Sequence, residues 1–174
     1  MPDLVTVGVL ICVPEPHSTV LTGWRHRVGD PLASVIPPHV TLLPPTDLPR
    51  ADLDAIDKHL VEAARACDPF AMHLFGTGTF RPLTPVVFIQ VARGIAECEV
   101  LEKAIRSGPL GRKLDFPYHP HVTVAQEVGD DALDEAYEAL SAFVARFLVS
   151  GFSLFVKDLD QPWAIRKNFP LGAA

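Results

Sequence analysis

One tetrapeptide, Pro-His-Val-Thr, occurs twice in this chain, at residues 38–41 and 120–123, 82 positions apart. Each copy sets an imidazole and a hydroxyl two residues apart, the spacing that puts both on one face of an extended strand. His39 and Thr41 then share a face, as do His121 and Thr123, while Val40 and Val122 point the other way as core anchors. Two imidazoles and two hydroxyls around one ligand are the set that phosphodiester cleavage requires. One histidine takes a proton from water or an alcohol, and the other gives one to the departing ribose oxygen. Imidazole suits both tasks because its ordinary pKa, about 6.5, leaves both forms populated near neutrality. The threonine hydroxyls donate to the non-bridging oxygens as negative charge grows on phosphorus.

The elements that must position these residues repeat with the motif. Residues 4–13 read as a buried strand, 15–28 as a helix with Pro16 in its first turn, and 40–43 as a short strand closed by Pro44-Pro45. Thr46 or Asp47 is the expected cap of a second helix, whose apolar stripe is Leu53, Ile56, Leu60, Val61 and Ala64. A strand at 70–75 ends at Gly76-Thr77-Gly78. The order then recurs: strand 85–92, helix 95–106, a polar loop over 107–120, strand 121–125, and a helix capped by Asp130 or Asp131. A hairpin of 147–156 with 163–169, turned at Asp158-Leu159-Asp160, closes the chain. The 82-residue offset also carries Leu4 onto Val86, so the chain reads as an internal duplication. A single β-α-β-α-β unit leaves a sheet face uncovered, and two copies about a pseudo-twofold axis cover it. The expected fold is α+β, a single domain over 1–174. It has two pseudo-symmetric lobes of antiparallel sheet with flanking helices, a central groove, and a lobe boundary near 77–85.

Composition excludes several function classes. With 174 residues, 48% apolar and 21% charged, the chain has the balance of one globular domain with a sizeable core. A net charge of −6 disfavours a protein that grips duplex DNA through its phosphates; a small phosphorylated ligand or the end of an RNA fits better. Cys12, Cys67 and Cys98 are odd in number and widely spaced, which argues against a disulfide framework and a thiolate zinc site, and Cys12 reads as a core residue. No secretory n-region and no bilayer-length apolar run stand in the sequence, so the expected compartment is the cytoplasm, with no membrane partner, and the expected state is a monomer.

The paired motifs His39-Val40-Thr41 and His121-Val122-Thr123 resemble the two H-x-T signatures of the two-histidine phosphoesterase superfamily, within it the 2′-5′ RNA ligase (LigT-like) branch. Phe80-Arg81-Pro82 leading into Val86-Val87-Phe88-Ile89-Gln90-Val91 resembles that family's aromatic turn and crossing strand, and the similarity covers about residues 4–169. The resemblance implies a metal-independent phosphodiesterase acting on 2′,3′-cyclic phosphates or related cyclic nucleotide and RNA-end esters, with weak reverse 2′-5′ ligation, no metal and no cofactor. It implies His39 and His121 as catalytic residues and Thr41 and Thr123 as phosphate ligands. One departure is the segment Val124-Ala125-Gln126, where many ligase-like members carry an arginine; its loss weighs against ligation of RNA halves.

Phe80, Arg81 and Tyr118 are candidate substrate contacts, the aromatics by stacking on a base and Arg81 by touching phosphate. Two other readings compete. His119, His121 and His39 could ligate a metal, but Pro120 intervenes and the first copy has Pro37 in place of His119. The same fold could also hold a nucleotide or an RNA end without turnover.

Overall fold

The structure, a computed structural model, describes residues 1–172. Its strands are β1 (Leu4–Cys12), β2 (His39–Pro49), β3 (Phe70–Thr79), β4 (Val86–Arg93), β5 (His121–Gln126), β6 (Val144–Val149), β7 (Gly151–Lys157) and β8 (Ala164–Pro170). Its α-helices are α1 (His17–Val28), α2 (Leu53–Arg65), α3 (Ile95–Ile105) and α4 (Asp130–Ala139). The fold is α+β, one eight-stranded sheet in the order β6-β3-β4-β5-β2-β1-β7-β8 with every neighbouring pair antiparallel. Among the described residues no helix is long and apolar enough to cross a membrane.

Four strands lie on each side of a seam between β2 and β5, and among the described residues the only registered pair across it is Val40↔Val122. The halves are interlocked. Helix α1, which follows β1, packs on β5 and α4 of the other half, and α3, which follows β4, packs on β2 and α2. The helices therefore cover one sheet face. Alternation in β1 follows from this: Val5, Val7, Val9 and Ile11 are buried beneath the helices, while Thr6, Gly8, Leu10 and Cys12 point to the opposite face. The chain changes halves between α2 and β3 and again at Ser150, between β6 and β7. The turn at 80–85 joins β3 and β4, which pair with each other.

Five local expectations are corrected. Pro44-Pro45 does not close β2, which runs on to Pro49. The prolines fall where the β1 ladder skips, between Thr46↔Val7 and Leu43↔Val9, and beyond the single contact with β5, so no ladder donor is missed. Neither Thr46 nor Asp47 caps a helix, since α2 begins at Leu53 behind a short 3₁₀ turn. β3 continues through Gly76-Thr77-Gly78 to Thr79, because a register shift there lets the strand keep pairing with β4. The closing hairpin is β7–β8 alone, and the run 147–156 breaks at Ser150: β6 pairs with β3 in one half and β7 with β1 in the other. Gly151 makes that entry possible, because a Cβ there would sit 2.7 Å from the Phe169 carbonyl oxygen. Asp130 and Asp131 occupy the first turn of α4 behind a Gly129 cap, where their charge complements the helix dipole.

One buried ion pair fixes the approach to the first motif. Arg25, on α1, bonds Asp30 through Nε (3.2 Å) and donates to the carbonyls of Leu32 (2.8 Å) and Ile36 (2.7 Å). Both charged side chains are nearly inaccessible, at 2% and 0% exposure. The other Asp30 oxygen accepts the Leu32 N–H at 2.9 Å. The segment that delivers Pro37 and His39 thus hangs from one guanidinium. Removing one partner of a buried pair strands the other charge, at a cost of about 3–5 kcal/mol. Arg25→Met should therefore lower the denaturant midpoint sharply in equilibrium unfolding, and Arg25→Met with Asp30→Asn should recover part of the loss. A midpoint unchanged by the single substitution would refute this role.

Candidate active site

The Val40↔Val122 pair brings the two motifs together. Both valines are fully buried against the helices, so His39, Thr41, His121 and Thr123 lie on the helix-free face. An antiparallel register through that pair sets His39 across from Thr123 and Thr41 across from His121. Among the described residues the two strands have no other registered pair, so the seam is an unpaired groove on either side of the valines. Within each half the motif has matching neighbours: His39 opposes Cys12 and Thr41 opposes Leu10, as His121 opposes Gln90 and Thr123 opposes Phe88. Cys12 and Gln90 are 78 positions apart, so β1 and β4 correspond at a shorter offset than the motifs, and the second connection from strand to motif is longer. Each ladder also shifts just past its motif, between Val9 and Leu10 and between Val87 and Phe88, the same local irregularity in both halves.

The two imidazoles are held the same way. His39 Nδ1 lies 2.7 Å from the Pro37 carbonyl oxygen, and His121 Nδ1 lies 2.6 Å from that of His119. A carbonyl only accepts, so Nδ1 carries the proton in both rings and the neutral form keeps its lone pair on Nε2. Neither Nε2 has a protein partner among the described residues. Burial, with smaller contributions from the Arg25 cation and His121, pushes the His39 pKa down to about 4 against the pull of the Pro37 bond. Burial also lowers that of His121, with His119 adding to the effect.

The surroundings of the two rings differ. His121 sits among Phe80 (centroids 4.9 Å, edge-on), Phe88 (5.1 Å) and His119 (5.6 Å). Phe80 and Phe88 are themselves 4.5 Å apart. Gly78 makes room for this cluster, since a Cβ there would meet the Phe88 ring at 2.6 Å. No ring packs on His39 in this way among the described residues.

Of the candidate substrate contacts, Phe80 lies beside His121. Arg81 is engaged elsewhere, donating to Asp134 on α4 at 2.8 Å. Tyr118 is half-buried, and its hydroxyl donates to the Thr41 carbonyl at 2.9 Å, spanning from the 107–120 loop to β2. Burial raises its pKa steeply, so it stays a phenol. Cys12, expected in the core, is half-buried on the groove face opposite His39, a correction that follows from the β1 alternation. Phe88 and Gln90 were missed as groove residues. Their signal was the alternation through β4, which a continuous apolar run conceals. Among the described residues no group of three or more His, Cys, Asp or Glu is arranged to hold a metal ion.

Comparison with known proteins agrees with this architecture. A Bacillus cytotoxicus protein provisionally named a phosphoesterase is 27% identical over 168 residues, covering 95% of this chain and 96% of its own. A Halalkalibacterium halodurans protein with the same kind of name is 27% identical over 167 residues, covering 95% and 96%. Among solved structures, Escherichia coli LigT complexed with NADP+ superposes with a TM-score of 0.73 at 18% identity, covering 99% of both chains. The same protein complexed with 3′-AMP gives 0.71, also at 18% identity, over 97% of this chain and 99% of that one. A Thermus thermophilus protein gives 0.65 at 23% identity, over 97% of this chain and all of that one. The model of the 2′-5′ RNA ligase superfamily matches residues 13–161. With its duplicated motifs meeting at one seam, the chain belongs to the 2′-5′ RNA ligase superfamily.

Proposed function

We propose that this protein is a phosphoric diester hydrolase that opens 2′,3′-cyclic phosphates, or related cyclic nucleotide and RNA-end esters, by paired histidine catalysis. The observation that carries this reading is the matched pair of imidazoles. Each is tied through Nδ1 to the carbonyl two residues before it, and each has an Nε2 without a protein partner among the described residues, on the groove face. In the proposed reaction one Nε2 takes a proton from water as its oxygen attacks phosphorus. The other Nε2 gives a proton to the ribose oxygen as its bond to phosphorus breaks, which leaves a phosphomonoester. Thr41 and Thr123, each placed across the seam from the opposite histidine, donate to the non-bridging oxygens.

The environments of the rings support a division of labour. His39, with a pKa at about 4, is neutral over most of the working range and serves as the base. Burial lowers His121 as well, and with His39 held neutral His121 is the ring left to serve as the acid. The relatives named as phosphoesterases and the nucleotides bound by LigT support the substrate class.

Three outcomes test this. His39→Ala and His121→Ala should each reduce hydrolysis of 2′,3′-cyclic nucleotides in EDTA by at least about 10²-fold with unfolding midpoints near wild type. Undiminished turnover in either variant refutes the mechanism, and tight binding without product in the wild type would replace catalysis by a binding role. The pH profile of kcat/KM reads the free enzyme, so its acidic limb should lie near pH 4 as His39 protonates, and its alkaline limb below about 6.5 as His121 loses its proton. A profile level from pH 5 to 9 would contradict the pairing. Tyr118→Phe should cost about 1 kcal/mol in unfolding, because the part-buried Thr41 carbonyl loses this donor, and should slow turnover by loosening Thr41. Unchanged stability would exclude that support.

A further inference from the structure

A row of three basic side chains crosses the second half of the sheet outside the groove. His73 on β3 is the registered partner of Arg93 on β4 and of Arg146 on β6. His73 stands between Met72 and Leu74, both buried beneath the helices, and Arg146 follows the buried Ala145. The row therefore lies on the helix-free face, the face of His121 and Thr123. The three residues line one shallow cavity of about 310 Å³ with Ala71 and Leu148, and its lining contains no carboxylate.

Two features of this row have no explanation within the fold. Arg93 and Arg146 flank His73 from its two neighbouring strands, and no carboxylate lines the cavity they share. Every other arginine of the chain has a side-chain hydrogen bond: Arg25 to Asp30, Arg27 to Glu135, Arg50 to Asp3, Arg65 to Glu62, Arg81 to Asp134, Arg106 to Glu102, Arg112 to Thr46 and Arg166 to Asp57. Among the described residues, Arg93 and Arg146 have none. The Nε2 atom of His73 is likewise buried without a partner. A buried unpaired ring nitrogen beside two unpaired guanidiniums is a set that an anion would complete.

We propose that His73, Arg93 and Arg146 form a second phosphate site, which takes a backbone phosphate of an RNA strand whose cyclic-phosphate end lies in the groove. This rests on the function proposed above and specifies its substrate class. The row is centred on His73 of β3, two strands from β5, and Arg93 on the intervening β4 lies three residues past Gln90, the partner of His121. From strand spacing and rise, that is on the order of 10–15 Å from His121, within reach of a short stretch of single strand and too far for a mononucleotide. Guanidiniums recognise phosphate by paired N–H donors, and the row carries two of them around one ring nitrogen.

The test compares a 2′,3′-cyclic mononucleotide with a short single-stranded oligoribonucleotide ending in a 2′,3′-cyclic phosphate. In the Arg93→Gln/Arg146→Gln variant, the ratio of kcat/KM for the oligonucleotide to that for the mononucleotide should fall about tenfold. The Arg93→Lys/Arg146→Lys variant should recover part of that ratio. An unchanged ratio overturns the proposal. A parallel arm measures binding of the labelled oligonucleotide to the His39→Ala/His121→Ala protein, with and without the two arginine substitutions, across a salt series. Losing two phosphate-pairing cations should weaken binding about tenfold and reduce the salt slope by about 1.4. Equal affinity and equal slope overturn the proposal whether or not the wild type turns over. Absence of turnover on both substrates, with the affinity loss intact, would reject the catalytic reading and retain the phosphate site.

Discussion

The rest of the structure depends on a single backbone pair. Among the described residues Val40 and Val122 alone are in register across the β2–β5 seam, and everything that opens the groove follows from their isolation. Were β2 and β5 paired along their lengths, the motif side chains would pack on a continuous sheet with no cleft between them. A register shift just past each motif interrupts the ladder in both halves. What a full ladder would have supplied comes instead from the crossing helices, α1 on β5 and α3 on β2. Burying a valine contributes about 1.5–3 kcal/mol, so the two anchors do part of this holding themselves. The groove is thus a gap in hydrogen bonding that packing on the other face makes stable.

Duplication alone would produce two equivalent histidines, and the proposed acid–base chemistry assigns them different roles. The fold keeps the backbone device in common, the bond from Nδ1 to the carbonyl two residues back, and varies the surroundings. On one side the residue two before the histidine is Pro37, and the buried Arg25 lies near enough to disfavour a second cation. On the other it is His119, and Phe80 and Phe88 close around the ring. Symmetry sets the geometry of the pair, and departures from symmetry give each ring its own surroundings, although burial lowers the proton affinity of both.

The distribution of charge follows the same division of faces. About half of the acidic residues stand on the α-helices, and several neutralise arginines there, as Asp57 does Arg166 and Asp134 does Arg81. Among the described residues, the helix-free face of β3, β4 and β6 has no such partners for Arg93 and Arg146. A chain with net charge −6 therefore still carries a local site for an anion, which a whole-chain count cannot reveal.

Much of this was legible in the residues themselves. The repeated Pro-His-Val-Thr, the alternation in β1 and the apolar stripes of the helices report local period, and local period is enough for element type, for the shared face of each His–Thr pair and for the duplication. It does not report partners. That Tyr118 reaches the Thr41 carbonyl, that Phe88 closes on His121, that Arg81 turns to Asp134, and that β6 and β7 part at Ser150 all depend on segments distant in sequence meeting in space. The prolines at 44 and 45 mislead for the same reason: a residue without an N–H ends a strand only where a neighbour needs that donor, and only the assembled sheet decides where neighbours are.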